Sequence, residues 1–258
     1  MKLTFLGTGT SFGIPQLGCS CDVCHSTDPR DKRTRVGAAV ETDGGAVILI
    51  DTPPELRLQL LATHITRVDA VLFTHLHADH THGIDDLRAI TARRDTHLPM
   101  YGAPDTLAGL EHKFNYIFDD RIQPLPGTSK PQGRTMPLLP GVPTRIADVD
   151  VTAVPVPHGR EMIYAYRIGP LAYVTDAKAV PENAIELLRG ARVLVINALF
   201  RVPHPSHLSF DEAIAVARAI GADITYLTHL THDNFHAALE AELPPGIVPA
   251  YDGLSIPV

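Results

Sequence analysis

The sequence predicts an α/β protein that folds as one domain over residues 1–258. Short apolar runs bounded by turn signals alternate with stretches of helical spacing in both halves of the chain. No Pro-rich or Gly-rich linker separates the halves cleanly, and 258 residues with 45% hydrophobic content can bury a sizeable core. We therefore expect two similar halves, with sheets inside and helices outside.

The first half of the chain is expected to form strands followed by helices. Apolar runs predict strands at residues 3–6, 38–41, 46–50 and 68–74. The triplet Asp43-Gly44-Gly45 is typical of a hairpin turn between the second and third of these strands. Helical spacing predicts helices at residues 55–63, 83–93 and 107–118.

The second half repeats this alternation after a segment near residues 119–147 that is rich in Pro and Gly. We expect that segment to be a long loop or flap. Strands are then predicted at residues 149–154, 163–168, 172–175, 193–197 and 224–228. Helices are predicted at residues 181–189, 209–220 and 234–240, and Ser209 with Glu212 predicts a capping box.

Charge and hydropathy limit the classes of partner. A formal net charge of -7 argues against broad attraction to nucleic acid or anionic lipid. No apolar run approaches the roughly 18 residues of a membrane helix, and the start MKLTFLGTGTSFG lacks the pattern of a signal peptide. We expect a cytoplasmic protein with a small-molecule partner, without membrane or nucleic acid, and leave a homodimer open.

Polar residues crowd the end of one apolar strand. The run VDAVLFT is followed directly by HLHADH, which supplies His75, His77, Asp79 and His80. Loops at strand ends are where α/β proteins usually build their sites. Imidazole nitrogen mixed with carboxylate oxygen suits zinc, manganese or iron, and one such loop can offer ligands to two adjacent metal ions. His82 lies outside the pattern.

Three later residues occur in the same setting, each at the end of an apolar strand. His158 follows VTAVPVP, Asp176 follows LAYVT and His229 follows ITYLT. Taken alone, each could be a structural residue. Together they complete the set of ligands that two metal ions need.

The three cysteines form a C-x-C-x2-C loop of Cys19, Cys21 and Cys24. Three thiolates suit a closed tetrahedral zinc site that needs a fourth ligand. His232 is the better candidate for it, because His25 adjoins Cys24 and would strain a small ring. Covalent haem attachment at CDVCH and a redox dithiol are alternative interpretations of the same cysteines.

The HLHADH motif, with Asp51 before it and His158, Asp176 and His229 after it, resembles the metallo-β-lactamase superfamily. This resemblance spans nearly the whole chain and implies a four-layer αββα sandwich. It implies that His75, His77 and His158 bind one metal ion, that Asp79, His80 and His229 bind the other, and that Asp176 bridges them. Asp51 would orient the ligand loop from behind, as ligating histidines commonly require.

The cysteine loop narrows the resemblance to the branch that contains the phosphoribosyl 1,2-cyclic phosphate phosphodiesterase. By this resemblance His207 would be the general acid for the leaving oxygen, whereas His204 has no such match. Asp176, His207 and Asp79 would then carry the catalysis. A helix-entry role is the structural alternative for His207.

The resulting hypothesis is a dinuclear metal-dependent phosphodiesterase that hydrolyses a small phosphate ester, cyclic esters included, with metal-activated hydroxide. A separate structural zinc would occupy the cysteine loop. Alternatives on the same site are a lactonase, a thioesterase, a β-lactamase or an RNA endonuclease. The non-enzymatic alternative is a metal-binding accessory protein without catalytic activity.

Overall fold

The computed structural model describes residues 1–93 and 96–258. In that part of the chain, two mixed sheets of seven strands lie face to face. The first sheet runs in the order β14-β1-β2-β3-β4-β5-β6. Its strands are β1 (Lys2–Gly7), β2 (Gly37–Glu41), β3 (Val47–Ile50), β4 (Ala70–Leu72), β5 (Leu98–Gly102), β6 (Gly133–Pro137) and β14 (Ser255–Pro257).

The second sheet runs in the order β13-β12-β11-β10-β9-β8-β7. Its strands are β7 (Thr144–Ile146), β8 (Val149–His158), β9 (Glu161–Ile168), β10 (Leu171–Val174), β11 (Val193–Asn197), β12 (Ile224–Thr228) and β13 (Ile247–Pro249). Pairing is antiparallel from β14 to β3 and parallel from β3 to β6. It is likewise antiparallel from β7 to β10 and parallel from β10 to β13, so the two halves repeat one plan.

Helices cover the outer face of each sheet. On the first half they are α2 (Leu56–Ala62), α4 (Arg88–Thr91), α5 (Pro104–Lys113) and α6 (Asn115–Phe118), with a 3-10 turn at Ile84–Leu87. The short helices α1 (Asp22–His25) and α3 (Ala78–Thr81) and the 3-10 turn at Pro29–Asp31 contribute no residue to that layer. On the second half they are α7 (Glu182–Leu188), α8 (Phe210–Ile220) and α9 (His236–Glu242). Helix α8 begins with the predicted capping box of Ser209 and Glu212. Among the described residues, no helix has both the length and the apolar character to span a bilayer.

The core has three apolar layers, because side chains alternate across each strand. In β3, Ile48 and Ile50 point inward to the layer between the sheets, which also contains Val151 and Tyr166 of the second sheet. Leu49 points the other way, into the layer beneath the helices of the first half. A third layer joins the second sheet to α7, α8 and α9. The order is therefore helices, sheet, sheet, helices, which is the αββα sandwich.

Three predicted elements differ from those observed. The helix predicted at residues 83–93 is a 3-10 turn followed by the short α4. The helix predicted at 107–118 begins earlier and divides into α5 and α6 at Phe114, whose backbone leaves the helical region at φ -123 and ψ 42. The predicted loop near 119–147 contains the edge strands β6 and β7.

Candidate metal centre

The predicted ligands all lie where strands end along one edge of the sandwich. Asp51 follows β3, the HLHADH loop follows β4, His158 ends β8, and Asp176 and His229 follow β10 and β12. Carboxyl ends of parallel strands meet at the same edge of a sheet. The ligand atoms accordingly form three groups in which all atoms lie within 4.8 Å of one another. These groups are His75 with His77 and His158; Asp79 with His80, Asp176 and His229; and His158 with Asp176 and His207.

Three of these residues have left-handed backbone conformations. The φ angles are 64° at Asp51, 58° at Asp176 and 57° at His229. Side chains with a β-carbon rarely adopt this region, and each such residue costs on the order of 1–3 kcal/mol. In each case the residue lies just beyond a buried strand. The turn directs Asp176 and His229 into the ligand groups, and it directs Asp51 toward His80 from behind. Backbone strain is thus concentrated at this edge.

Hydrogen bonds fix the orientation of three histidine rings. His80 Nδ1–H donates to Asp51 Oδ2 at 2.7 Å, and His158 Nδ1–H donates to the carbonyl oxygen of Ser206 at 2.9 Å. The hydroxyl of Thr74 donates to Asp51 at 2.8 Å and lies 3.0 Å from Nδ1 of His75, from which it accepts. In all three rings Nδ1 is therefore occupied from behind, and Nε2 is directed at the neighbouring ligand atoms.

The donor set fits divalent cations. Among the described residues, buried ring nitrogens without a hydrogen-bond partner include Nε2 of His75, of His80 and of His229. An unpaired buried nitrogen is costly, and coordination of a cation by its lone pair would satisfy it. Histidine nitrogen with aspartate oxygen is the ligand chemistry of zinc, manganese and iron sites. The residues of this site therefore fit divalent metal ions.

The charges in the site point the same way. Burial opposes ionisation of Asp176, yet His229 and His80 hold the pKa of its carboxyl well below its usual range. Burial also opposes charge on His80, but Asp176 and Asp51 raise the pKa of its imidazole well above its usual value. Burial lowers the pKa of His75 well below its usual value and that of His229 to about 4. Carboxylates that attract positive charge thus stand beside the imidazoles of His75 and His229, whose burial favours the neutral form.

Asp176 lies at the centre of the arrangement. Its Oδ2 atom is 3.4 Å from Nε2 of His80, 3.3 Å from Nε2 of His229 and 3.2 Å from Nε2 of His207. The hydroxyl of Thr175 donates to Oδ1 at 2.6 Å, which leaves Oδ2 for the site. Asn197, the last residue of β11, supports this turn in a role that the sequence did not predict. Its Oδ1 accepts from the backbone N–H of Ala177, and its Nδ2–H donates to the carbonyl oxygen of Ala177. The only signal for this role was a polar residue at the end of a buried strand.

Three further histidines named in the sequence analysis, His82, His204 and His207, take different positions relative to the site. His207 reaches the site, where its ring stacks on that of His229 with centroids 4.8 Å apart. His204 lies behind His207, with their Nδ1 atoms 3.4 Å apart. His82, by contrast, packs its ring against Phe114 and does not join the ligand groups.

The cysteine loop forms a second cluster with His232, which lies shortly after β12. Nδ1 of His232 lies 3.3 Å from Cys19 Sγ, 3.4 Å from Cys21 Sγ and 3.5 Å from Cys24 Sγ. Ligands of a tetrahedral zinc, at about 2.0 Å for nitrogen and about 2.3 Å for sulfur, stand roughly 3.5 Å apart. His25 instead places its Nδ1 atom 3.1 Å from the backbone oxygen of Cys21. The four side chains therefore fit a closed zinc site.

A cavity of about 260 Å³ lies between the two clusters. Its walls include Phe12 and Gln16 from the first loop, Phe200, and the site histidines His207 and His229. A larger cavity of about 710 Å³ lies near α2 and α4, but none of the described residues around it is a predicted ligand. The smaller cavity is therefore the one of these two that borders the candidate metal ligands.

The chain is similar to known proteins that carry several different names. A solved structure described as a new diphosphatase from the PhnP family is 38% identical, with a TM-score of 0.90 over 99% of this chain and 96% of that one. Zn²⁺-bound PqqB from Methylobacterium extorquens shares the fold at 21% identity, with a TM-score of 0.76 over the full length of both chains.

A curated relative, the octanoyltransferase of Porphyromonas gingivalis, is 42% identical over 98% of this chain. This chain spans only 51% of that relative's length. The family model for the beta-lactamase superfamily domain matches residues 47–230, which contain every predicted ligand of the histidine and aspartate groups. The chain therefore belongs to the metallo-β-lactamase superfamily.

Proposed function

We propose that the chain is a dinuclear metal-dependent phosphodiesterase that hydrolyses a small phosphate ester, cyclic esters included. His75, His77 and His158 would hold one divalent ion, and Asp79, His80 and His229 would hold the other. Asp176 would be shared by both. Bound there, such ions supply a nucleophile from water at neutral pH and neutralise the charge of a phosphoryl group. Cys19, Cys21, Cys24 and His232 would hold a structural zinc.

The observation that carries this proposal is the position of Asp176. A single carboxylate oxygen faces ring nitrogens of His80, His229 and His207 at 3.2–3.4 Å. The other ligand group approaches the same carboxylate through His158. A carboxylate between two sets of ligands is what a bridging ligand requires.

The protein's own residues would then orient the ester and move one proton. His207 directs Nε2 into the site beside Asp176 and borders the cavity of about 260 Å³. An ester whose leaving group occupies this cavity would place its departing oxygen near that nitrogen. As the phosphorus–oxygen bond breaks, the Nε2 proton passes to the oxygen, which is general-acid catalysis. His207 also lies close to His158 and Asp176, so the acid role depends on it remaining free of metal.

The similar proteins support a phosphoryl substrate more than an acyl substrate. The PhnP-family relative, described as a diphosphatase, resembles the chain over 99% of its length. The octanoyltransferase name belongs to a protein of which this chain covers 51%, so acyl transfer need not reside in the shared part. The solved structure of PqqB is Zn²⁺-bound, which favours zinc among the metal ions that suit these ligands.

Hydrolysis of bis(p-nitrophenyl) phosphate by the purified chain, loaded in turn with zinc, manganese or iron, tests the proposal. We expect turnover that is lost in Asp176→Ala and kept in Asp150→Ala, a matched control whose exposed carboxylate pairs with Arg145. Turnover that is equal in wild type and Asp176→Ala would refute the shared carboxylate. A lactone, a thioester and a β-lactam belong in the same panel. If one of them is hydrolysed and no phosphodiester is, the alternative hydrolases replace this proposal.

A further inference from the structure

Ser206 contacts two histidines of the site through two different groups. Its carbonyl oxygen accepts from Nδ1–H of His158 at 2.9 Å. Its hydroxyl oxygen lies 2.9 Å from Nδ1 of His207 and 3.2 Å from Nδ1 of His204. The backbone of Ser206 therefore orients a metal-ligand candidate, whereas the side chain addresses the candidate acid and the histidine behind it.

The direction of these hydrogen bonds follows from the donors available. The backbone N–H of Ser206, which can only donate, lies 3.4 Å from Nδ1 of His204. Nδ1 of His204 is therefore an acceptor, and we assign the single hydroxyl proton of Ser206 to the same nitrogen, 3.2 Å away. The hydroxyl oxygen is then left to accept from Nδ1–H of His207. The chain of bonds runs from His207 through Ser206 to His204.

Ring packing holds both ends of this chain of bonds in place. The His204 ring lies against Phe200 with centroids 5.5 Å apart. The His207 ring is nearly parallel to that of His229, at an interplanar angle of 16°. With Nδ1–H held by Ser206, rotation of the His207 ring is restricted. Its Nε2 atom therefore stays directed at Asp176, at 3.2 Å.

We propose that Ser206 and His204 are positioning residues for His207, which hold its ring so that Nε2 faces the leaving oxygen. The inference rests on the proposed phosphodiesterase function for its catalytic consequence. When Nε2 gives its proton to the departing oxygen, the phosphorus–oxygen bond breaks and His207 remains as the neutral ring with its proton on Nδ1. This is the form whose Nδ1–H the Ser206 hydroxyl accepts, and solvent water returns the lost proton.

Ser206→Ala is a sharp variant, because alanine keeps the carbonyl that orients His158 and removes only the hydroxyl. We expect unchanged metal content and a loss of roughly tenfold in kcat for alkyl esters with poor leaving groups, as for one lost hydrogen bond. Activated p-nitrophenyl esters, which need little protonation, should lose much less. Ser206→Thr, which retains a hydroxyl, should restore the rate, and His204→Ala should reproduce the loss.

A double-mutant cycle with His207→Ala separates positioning from general damage. We expect Ser206→Ala to cost nothing further in the His207→Ala background. An equal loss in both backgrounds, or an equal loss on alkyl and p-nitrophenyl esters, would overturn the proposal.

Nitrogen-15 NMR of the His207 ring provides a readout that does not depend on turnover. For the neutral ring, which remains after Nε2 has given up its proton, we expect the proton on Nδ1 in wild type and in Ser206→Thr, and a mixture of tautomers in Ser206→Ala. If the His207 ring changes in this way in Ser206→Ala but no phosphodiester is hydrolysed, the proposed function is refuted and the positioning role is not. Hydrolysis with an unchanged ring spectrum and unchanged alkyl-ester rates in Ser206→Ala would refute the positioning role alone.

Discussion

Nδ1 of His80 lies 2.7 Å from Oδ2 of Asp51, and both side chains are fully buried. The same carboxylate accepts from the backbone N–H and the hydroxyl of Thr74, the residue that precedes His75. One aspartate behind the site therefore orients one candidate ligand directly and the backbone of another. We therefore expect Asp51 to influence metal affinity, although its carboxylate lies behind the candidate ligands.

Asp51→Asn should lower the affinity for the active-site metal ions about 10–100-fold. The amide keeps the size of the carboxylate but loses its charge and one acceptor oxygen, so at least one N–H or O–H donor of His80 or Thr74 faces an NH2 group instead. Competition with a chromophoric chelator measures the change. Asp150→Asn, at an exposed carboxylate, serves as the control. Equal dissociation constants in the two variants would contradict the role of Asp51.

Gly109→Ala should destabilise the protein, although alanine in place of glycine usually favours a helix interior by about 1 kcal/mol. A β-carbon at Gly109, in the middle of α5, would lie 2.2 Å from Cδ2 of Leu76. Leu76 is the residue between His75 and His77. We expect a loss of about 1–3 kcal/mol in the free energy of unfolding from overpacking, together with reduced metal affinity.

The double variant Gly109→Ala with Leu76→Ala is the control for the Gly109→Ala variant. Removal of the leucine side chain opens the space that the new methyl group needs, so the double variant should recover the metal affinity lost in Gly109→Ala. Thermal unfolding with metal titration measures both quantities. A higher unfolding temperature for Gly109→Ala in the wild-type background would show that α5 does not hold Leu76 in place.

Cys21→Ala should reduce the metal content from about three ions per chain to about two. The cysteine loop near the start of the chain is connected through His232 to the segment that follows β12, so the unfolding temperature should fall as well. His25→Ala changes the neighbouring residue that stays outside the cluster and should leave the metal content unchanged. Elemental analysis of both variants measures the metal content. Three retained ions in Cys21→Ala would rule out the cysteine site.

Stability should fall between pH 6.5 and pH 4 because of His236. Burial, with Arg33 beside it, lowers the pKa of this histidine from 6.5 to about 4. In that window the unfolded chain binds a proton that the folded chain does not, so the free energy of unfolding decreases as the pH falls. Above the window the contribution is fully present.

His236→Gln should make the decline with pH less steep, because glutamine cannot take up the proton. Urea unfolding of metal-free protein across the window measures the slope. His112→Gln, at an exposed histidine on α5, should keep the wild-type slope. A slope in His236→Gln as steep as that of the wild type would assign the decline to other groups.

The strands that could be predicted from the sequence are those whose apolar runs are buried. Strands β3, β10 and β11 lie close to the predicted ranges because hydrophobic side chains occupy both of their faces. Strand β5 was missed because Pro99 and Gly102 read as turn residues. The edge strands β6 and β7 lie in the Pro-rich segment, where pairing with distant strands decides the structure.

The candidate ligands could be predicted because each follows an apolar strand, a pattern that is local in sequence. The residues that orient them could not. Thr74, Asn197 and Ser206 act through hydrogen bonds to groups that only the folded chain brings near. Serine, threonine and asparagine at strand ends are common, so composition gives no signal for this role.

Anomalous diffraction from crystals of the zinc-loaded chain tests the central claim most directly. We predict two peaks about 3.5–4 Å apart, one on each side of Asp176, and a third among the cysteines. A single peak within reach of both histidine groups, with Asp176 directed away from it, would contradict the dinuclear site and the hydrolysis proposed for it.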